Sequence, residues 1–323
     1  MHELYKAYVV AFLDILGFRD TIDQTKDNPI EIKNISDALA EVRQTIYGIS
    51  GKFDIKARMF SDTILITCSN TNFPSLGLLL GFIASLQIKF IEKSHFLRGA
   101  VAIGDHYESD EVMFGPTMIQ AYETEKLAIW PRVVIHPSVW ENLERIHIGF
   151  VLESLVRRSK DGLAYLDYLQ TAFPLELALD WVQEYSKEMV SSSSPVTILS
   201  THKSAILKLA KQKPVNSRTE ILTKYHNLAE YHNMVLEDIA RQLTYWAGHG
   251  KPEPSTCMEI LCTYPKSHAS GSAVESPANF KSDNFNKFWQ NKCDELLNHM
   301  DSIRSCVIDL RQAFPILYGI SSQ

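Results

Sequence analysis

Two β-rich runs, "FDIKARMF" and "TILITCS", are separated only by Ser61 and Asp62. A connection that short between strand-like runs forces a hairpin, so residues 53–69 must pair antiparallel. This fixes the direction and register of two strands at once and leaves Asp62 at the tip of the turn. The second constraint is "VVAFLDILGF", Val9 to Phe18, which reads as a buried strand that carries one acid, Asp14. A buried carboxylate without a partner is costly. Asp14 therefore either caps a following helix or faces a cation or a ring of donors.

Around these two features the first half of the chain alternates between strand and helix patterns. Ile32, Ile35, Leu39, Val42 and Ile46 fall at helical spacing between Ile30 and Tyr47. A helix from Pro74 to Ile91 follows the hairpin. "FLRGAVAIGD" reads as a strand, "DEVMF" as a continuation of the sheet, "GPTMIQAYETEKLA" as a helix with Pro near its start, and "PRVVIHP" as a strand. The order predicts an α+β sandwich with helices on a mixed, mostly antiparallel sheet over residues 5–172. Residues 173–323 read as mainly helical. A long amphipathic helix runs from Thr219 to Leu243, more helix is expected between Phe285 and Phe314, and a low-complexity linker lies near 266–280. No internal repeat is evident.

Composition narrows the functional classes. A net charge of −6 on 323 residues and a pI near 6.0 argue against binding duplex nucleic acid, which needs a basic footprint. The longest apolar stretch, "LGLLLGFIASLQIKFI", is too short for a membrane span and Lys89 interrupts it. With no signal-peptide pattern and five irregularly spaced cysteines, the expected setting is the cytoplasm with free thiols. Cys257, Cys262 and His268 match no common zinc spacing.

If the Val9–Phe18 strand lies beside the hairpin, Asp14 and Asp62 converge. Two such carboxylates repel unless a divalent cation sits between them, and Mg²⁺ or Mn²⁺ takes oxygen ligands while keeping waters and sharing substrate phosphates. The backbone N–H groups of Leu16, Gly17 and Phe18, entering a helix behind Asp14, are expected to offer donors to phosphate oxygens. The same dyad serves polymerase palms, and a turn Asp can also bond locally.

Taken together the residues carry a resemblance. "FLDILGF" resembles the first-strand motif of class III nucleotidyl cyclases, and "FSDTI" resembles their hairpin motif, with Ser61 where that family usually has Gly. "LRGAVAIG" resembles the later strand with its phosphate-contacting Arg, here Arg98, and its final Gly104. The purine cyclases carry an Asn and an Arg on the next helix where this chain has Ile119 and Glu123. "GPTMIQAYETE" is instead similar to the helix of the pyrimidine cyclases of bacterial antiphage (Pycsar) systems.

That resemblance implies a uridylate cyclase, converting UTP to 3′,5′-cyclic UMP and pyrophosphate, with cytidylate cyclase or an inactive nucleotide- or partner-binding module as alternatives. It implies two Mn²⁺ or Mg²⁺ ions held by Asp14, Asp62 and the Ile15 carbonyl. It further implies triphosphate contacts from Leu16, Gly17, Phe18, Arg98 and Lys160, and a base pocket built from Arg58, Val112 and Tyr122. Arg58 could equally form a structural pair with Asp54 or Glu92, Tyr122 could fill the core, and Lys160 could belong to a solvated cluster with Arg157 and Arg158. The family's sites lie between the two protomers of a homodimer. The product is expected to act on a separate cyclic-nucleotide-binding effector, with no part for duplex nucleic acid or membrane.

Overall fold

The structure is a computed structural model. It describes residues 5–18, 22, 28–49, 55–69, 71, 73–109, 111–145, 156–169, 194–212, 219–250, 290–291, 294 and 296–318. One compact unit runs from Met1 to Thr171, with Lys187–Met189, and the second holds the rest of the chain.

In the first unit, β1 (Lys6–Ile15) is followed by α1 (Pro29–Ile49). The hairpin strands β2 (Ile55–Phe60) and β3 (Thr63–Cys68) precede α2 (Phe73–Glu92). Then come β4 (Leu97–Glu108), β5 (Met113–Phe114) and α3 (Pro116–Glu125). The unit continues with β6 (Val133–Ile135), α4 (Pro137–Arg145), β7 (Val156–Arg158) and β8 (Ala164–Leu166). Among the described residues these strands form one sheet of eight, in the order β2-β3-β1-β4-β6-β8-β7, with β5 paired to β4. Every pairing is antiparallel except that of β4 with β6. The expected architecture is the observed one: helices on a mixed, mostly antiparallel sheet.

The pleat explains how one strand can be both core and site. Val9, Ala11, Leu13 and Ile15 of β1 are buried on one face. On the other face Val10, with Leu65 and Ala102 from the flanking strands, packs against Ala121 of α3, with Phe12 and Met118 at the margin. Asp14 shares that second face at the end of the strand, where its side chain is about a quarter exposed. β4 lies close against β1: a Cβ added at Gly99 would collide with the Phe12 carbonyl oxygen and the Leu13 side chain. Helix α2 is buried along most of its described length, as its continuous apolar sequence anticipates. No described helix is long and apolar enough to cross a membrane.

Two ion pairs, each with one buried partner, join the outer strands. Arg132, fully buried, donates to both carboxylate oxygens of Asp161 and lies over the rings of Trp130 and Tyr165. Arg157 pairs with Asp167 at 2.8 Å.

In the second unit the described residues are helical: α5 (Pro195–Gln212), α6 (Thr219–His249), α7 (Met300–Ser305), α8 (Leu310–Ala313) and a 3₁₀ turn at Pro315–Tyr318. The helix expected up to Phe314 is broken after Ser305. Asn233 grips both the N–H and the carbonyl of Ile308, at 2.8 and 2.9 Å, and Asp309 restarts the helix by accepting from the Gln312 amide. His202 and His232 are both buried, with their Nδ1 atoms 2.8 Å apart. The Cys306 carbonyl can only accept, so His232 Nε2, 3.0 Å away, carries its proton; neutral His232 then accepts at Nδ1 and His202 donates. The linker near 266–280 and the Cys257, Cys262 and His268 trio lie outside the described residues.

Candidate active site

β1 is paired on both sides, and the two pairings assemble the site. Asp14 lies opposite Thr63 on β3 and opposite Arg98 on β4. The tight turn of the hairpin carries Asp62 next to that end, and the Ile15 amide donates to the Asp62 carbonyl at 3.0 Å. Ser61 takes the left-handed conformation at φ 56°, the geometry that glycine adopts without cost.

The electrostatics follow from that packing. Burial pushes the Asp14 carboxyl up to about 6; Arg98 opposes the shift, while the charges of Asp62 and Glu125 add to it. Asp14 and Asp62 are thus close enough to repel. Two carboxylates with the Ile15 carbonyl nearby are hard oxygen donors, which suits a small divalent cation that keeps part of its water shell. Among the described residues no group of three or more His, Cys, Asp or Glu side chains gathers to hold a metal, so any such ion would lean on backbone, water and substrate oxygens.

Arg98 bridges two acids. Its Nη2 lies 3.3 Å from Asp14 Oδ2 and its Nε lies 2.5 Å from Glu125 Oε1. The Nε–H does not point at that oxygen, so the second contact is ionic rather than a formed hydrogen bond. Glu125 was not among the residues singled out from sequence. A signal existed: Thr117, Ala121, Thr124 and Glu125 recur at helical spacing and form the buried stripe of α3. An acid on such a stripe needs a cation.

The expected phosphate cradle is corrected at one position. The Leu16 N–H donates to the Phe96 carbonyl at 2.8 Å, because the strand pairing continues one residue past β1. Gly17 makes the turn at φ 74°, and Phe18 is buried.

Arg58 and the turn bearing Val112 are brought together. Arg58 Nη2 donates to the Ser109 carbonyl at 2.6 Å and lies 3.8 Å from the buried Glu108 carboxylate, whose other oxygen accepts from Thr67. Ser109 closes the turn by donating its amide to the Val112 carbonyl. Glu108 and Ser109 thus hold the guanidinium, in addition to the expected alternatives Asp54, which lies outside the described residues, and Glu92. Val112 is exposed rather than a pocket wall within this chain. Tyr122 is 44% exposed, meets Phe12 edge-on at 5.3 Å, and carries Lys126 over its ring, so it is no core residue. Ile119 is exposed, and Glu123 pairs with Lys126 at 2.9 Å.

Lys160 is not brought to Asp14 within one chain. It is exposed in the turn between β7 and β8. Val133 pairs with Gly99 near the Asp14 end, and Ala164 pairs with Ile135 further along. Strand direction therefore places the 159–163 turn beyond the Ile135 end of β6, on the outer strands of the sheet, with Asp161 reaching back to Arg132.

No protein-family model matches the chain, and no curated protein does. Among solved structures, the chain is similar to the adenylyl cyclase CyaB from P. aeruginosa at 12% identity and a TM-score of 0.38. That likeness covers 50% of this chain and 93% of the other.

Proposed function

We propose that this chain is a metal-dependent nucleotide cyclase of the class III type, acting on a pyrimidine triphosphate, UTP before CTP. One observation carries the reading: Asp14 and Asp62 meet at the end of a doubly paired strand, with Arg98 directly opposite Asp14. The ordered motifs "FLDILGF", "FSDTI" and "LRGAVAIG" support it. In the reaction the ribose 3′-oxygen attacks the α-phosphorus and pyrophosphate departs in line, giving a 3′,5′-cyclic nucleotide.

Asp14, Asp62 and the Ile15 carbonyl would hold two Mg²⁺ or Mn²⁺ ions. Such ions, when bound, lower the pKa of the attacking hydroxyl and neutralise the triphosphate. Arg98 supplies a planar, permanently charged guanidinium to the departing phosphates. Gly17 and Phe18 carry the remaining part of the phosphate turn. Arg58 presents donors to a base carbonyl: uracil O4 accepts there, whereas the cytosine amino group would confront donor with donor.

Lys160, Arg58 and Tyr122 act on the partner's site in a homodimer. The placement of Lys160 away from Asp14 within one chain favours that arrangement. The site sits in a cytoplasmic enzyme, and its product serves as a second messenger in antiphage defence, read by a separate effector. The test is incubation with the four nucleoside triphosphates at equal concentration and Mn²⁺, followed by chromatography. Cyclic UMP should dominate, and Arg58→Ala should lose selectivity or turnover. Dominant cyclic AMP or cyclic GMP overturns the base assignment, and no cyclic product overturns the reading itself.

A further inference from the structure

Arg98 sits between two carboxylates that have different surroundings. Asp14 and Arg98 are each about a quarter exposed, whereas the Glu125 side chain is 5% exposed and fixed on the buried stripe of α3. Arg98 is closer to Glu125, at 2.5 Å, than to Asp14, at 3.3 Å. Arg98 donates a long hydrogen bond to Asp14, whereas its contact with Glu125 is ionic, shorter and more shielded from solvent. The two acids share the guanidinium, and Coulomb attraction, which grows as distance and solvent access fall, favours Glu125. Asp14, Asp62 and Glu125 together with Arg98 carry a net charge of two negatives when ionised, which one divalent cation balances.

We propose that Glu125 is a positioning residue that sets metal affinity by drawing Arg98 away from Asp14. A cation that approaches Asp14 competes with Arg98 for the same oxygens. While Glu125 is charged, Arg98 is shared and the competition is weak. With Glu125 neutralised, Asp14 becomes the principal counter-ion of Arg98, and the cation must displace it. The same anchor keeps the guanidinium beside the triphosphate position once Asp14 has turned to metal. The inference rests on the metal assignment made above for Asp14 and Asp62.

The test is Mn²⁺ titration of the full chain without nucleotide, read by loss of the free-ion electron paramagnetic resonance signal at fixed pH and low salt. Arg98→Gln should bind Mn²⁺ at least about threefold more tightly than the unaltered chain, and Glu125→Gln at least about threefold more weakly. The decisive comparison is the double variant: in the Arg98→Gln background, Glu125→Gln should cost clearly less affinity than in the unaltered chain, since the route through Arg98 is gone and only the direct field of Glu125 on Asp14 is left. Glu125→Asp keeps the charge and should bind closer to the unaltered chain than Glu125→Gln does, which gives a second reading should the Gln variant fail to fold. An equal loss from Glu125→Gln in both backgrounds, or none in either, overturns the positioning role. Undiminished Mn²⁺ binding by Asp14→Asn overturns the metal assignment instead.

Discussion

The Ile15 amide donates to the Asp62 carbonyl at 3.0 Å, so the residue after one site acid is tied to the backbone of the other. The distance between the two acids is therefore set by main-chain bonding, independently of any ion.

Asp14→Asn should abolish turnover without weakening the fold. The folded-state pKa of about 6 lies above the ordinary 3.8, so the folded chain holds this proton more tightly than the unfolded one. Its stability contribution is full below pH 3.8 and is lost as pH rises through about 6, a difference of roughly 2–3 kcal/mol. At pH 7.5 the neutral Asn should melt at the same temperature or several degrees higher, and its stability should lose that pH slope. Mn²⁺ should raise the melting temperature of the unaltered chain and leave the variant unmoved. A variant that melts well below the unaltered chain at pH 7.5 contradicts this.

Ile119 and Phe60, 61% and 62% exposed, lie with Tyr122 on the side of the sheet that bears Asp14. Ile119→Arg should convert the dimer proposed above to monomer by light scattering, with unchanged circular dichroism and a loss of at least about tenfold in turnover. Mixing Asp62→Asn with Arg58→Ala protomers should restore activity, because each defect falls in a different half-site. No recovery after demonstrated subunit exchange means that each chain holds a complete site.

Ser61→Gly should stabilise the hairpin. A left-handed residue with a side chain costs about 1–2 kcal/mol, and glycine's extra unfolded-state freedom returns about half of that, leaving a gain of roughly 0.5–1 kcal/mol. Thermal denaturation should rise by a few degrees. A fall would mean that the Ser61 side chain makes a contact worth more than the strain.

The helical unit should be acid-sensitive through its histidine pair. Burial holds His202 well below 6.5; for His232 burial, with Lys203 adding to it, brings the value to about 4 despite the Cys306 carbonyl. Both values are depressed, so the stability they lend is present above pH 6.5 and is lost as pH falls toward 4. For His232 alone that is about 3 kcal/mol, detectable as a falling melting temperature of the far-ultraviolet helix signal across that range. A flat profile between pH 6.5 and 4 would show that the pair is not buried as described.

Much of this was legible in the sequence, and the parts that were not share a cause. β1, the hairpin and α2 declare themselves because each is read from its own local pattern: one apolar run, two runs only two residues apart, and a long apolar helix. Helical spacing puts Glu125 on the buried stripe of α3, but its partner Arg98 stands on β4, 27 residues earlier, and no local pattern names it. The Leu16 amide looked available because nothing local reveals that Phe96, 80 residues later, takes it. Motif order suggests Lys160 as a phosphate ligand, but which site it serves depends on strand direction and on the dimer, neither of which a local motif shows.

Gly99 performs no chemistry, yet it follows Arg98 directly and is the residue at which β4 packs tightly on β1. Any side chain there would wedge the strands apart beside the residue that faces Asp14. In a saturation-mutagenesis library scored for activity, position 99 should therefore be as intolerant as 14 or 62. The pattern of rejection would separate them: the acids would tolerate folding but not turnover, while every substitution at 99 would also deplete soluble protein. Geometry of this kind leaves a mark in a genetic screen that resembles catalysis until abundance is measured alongside it.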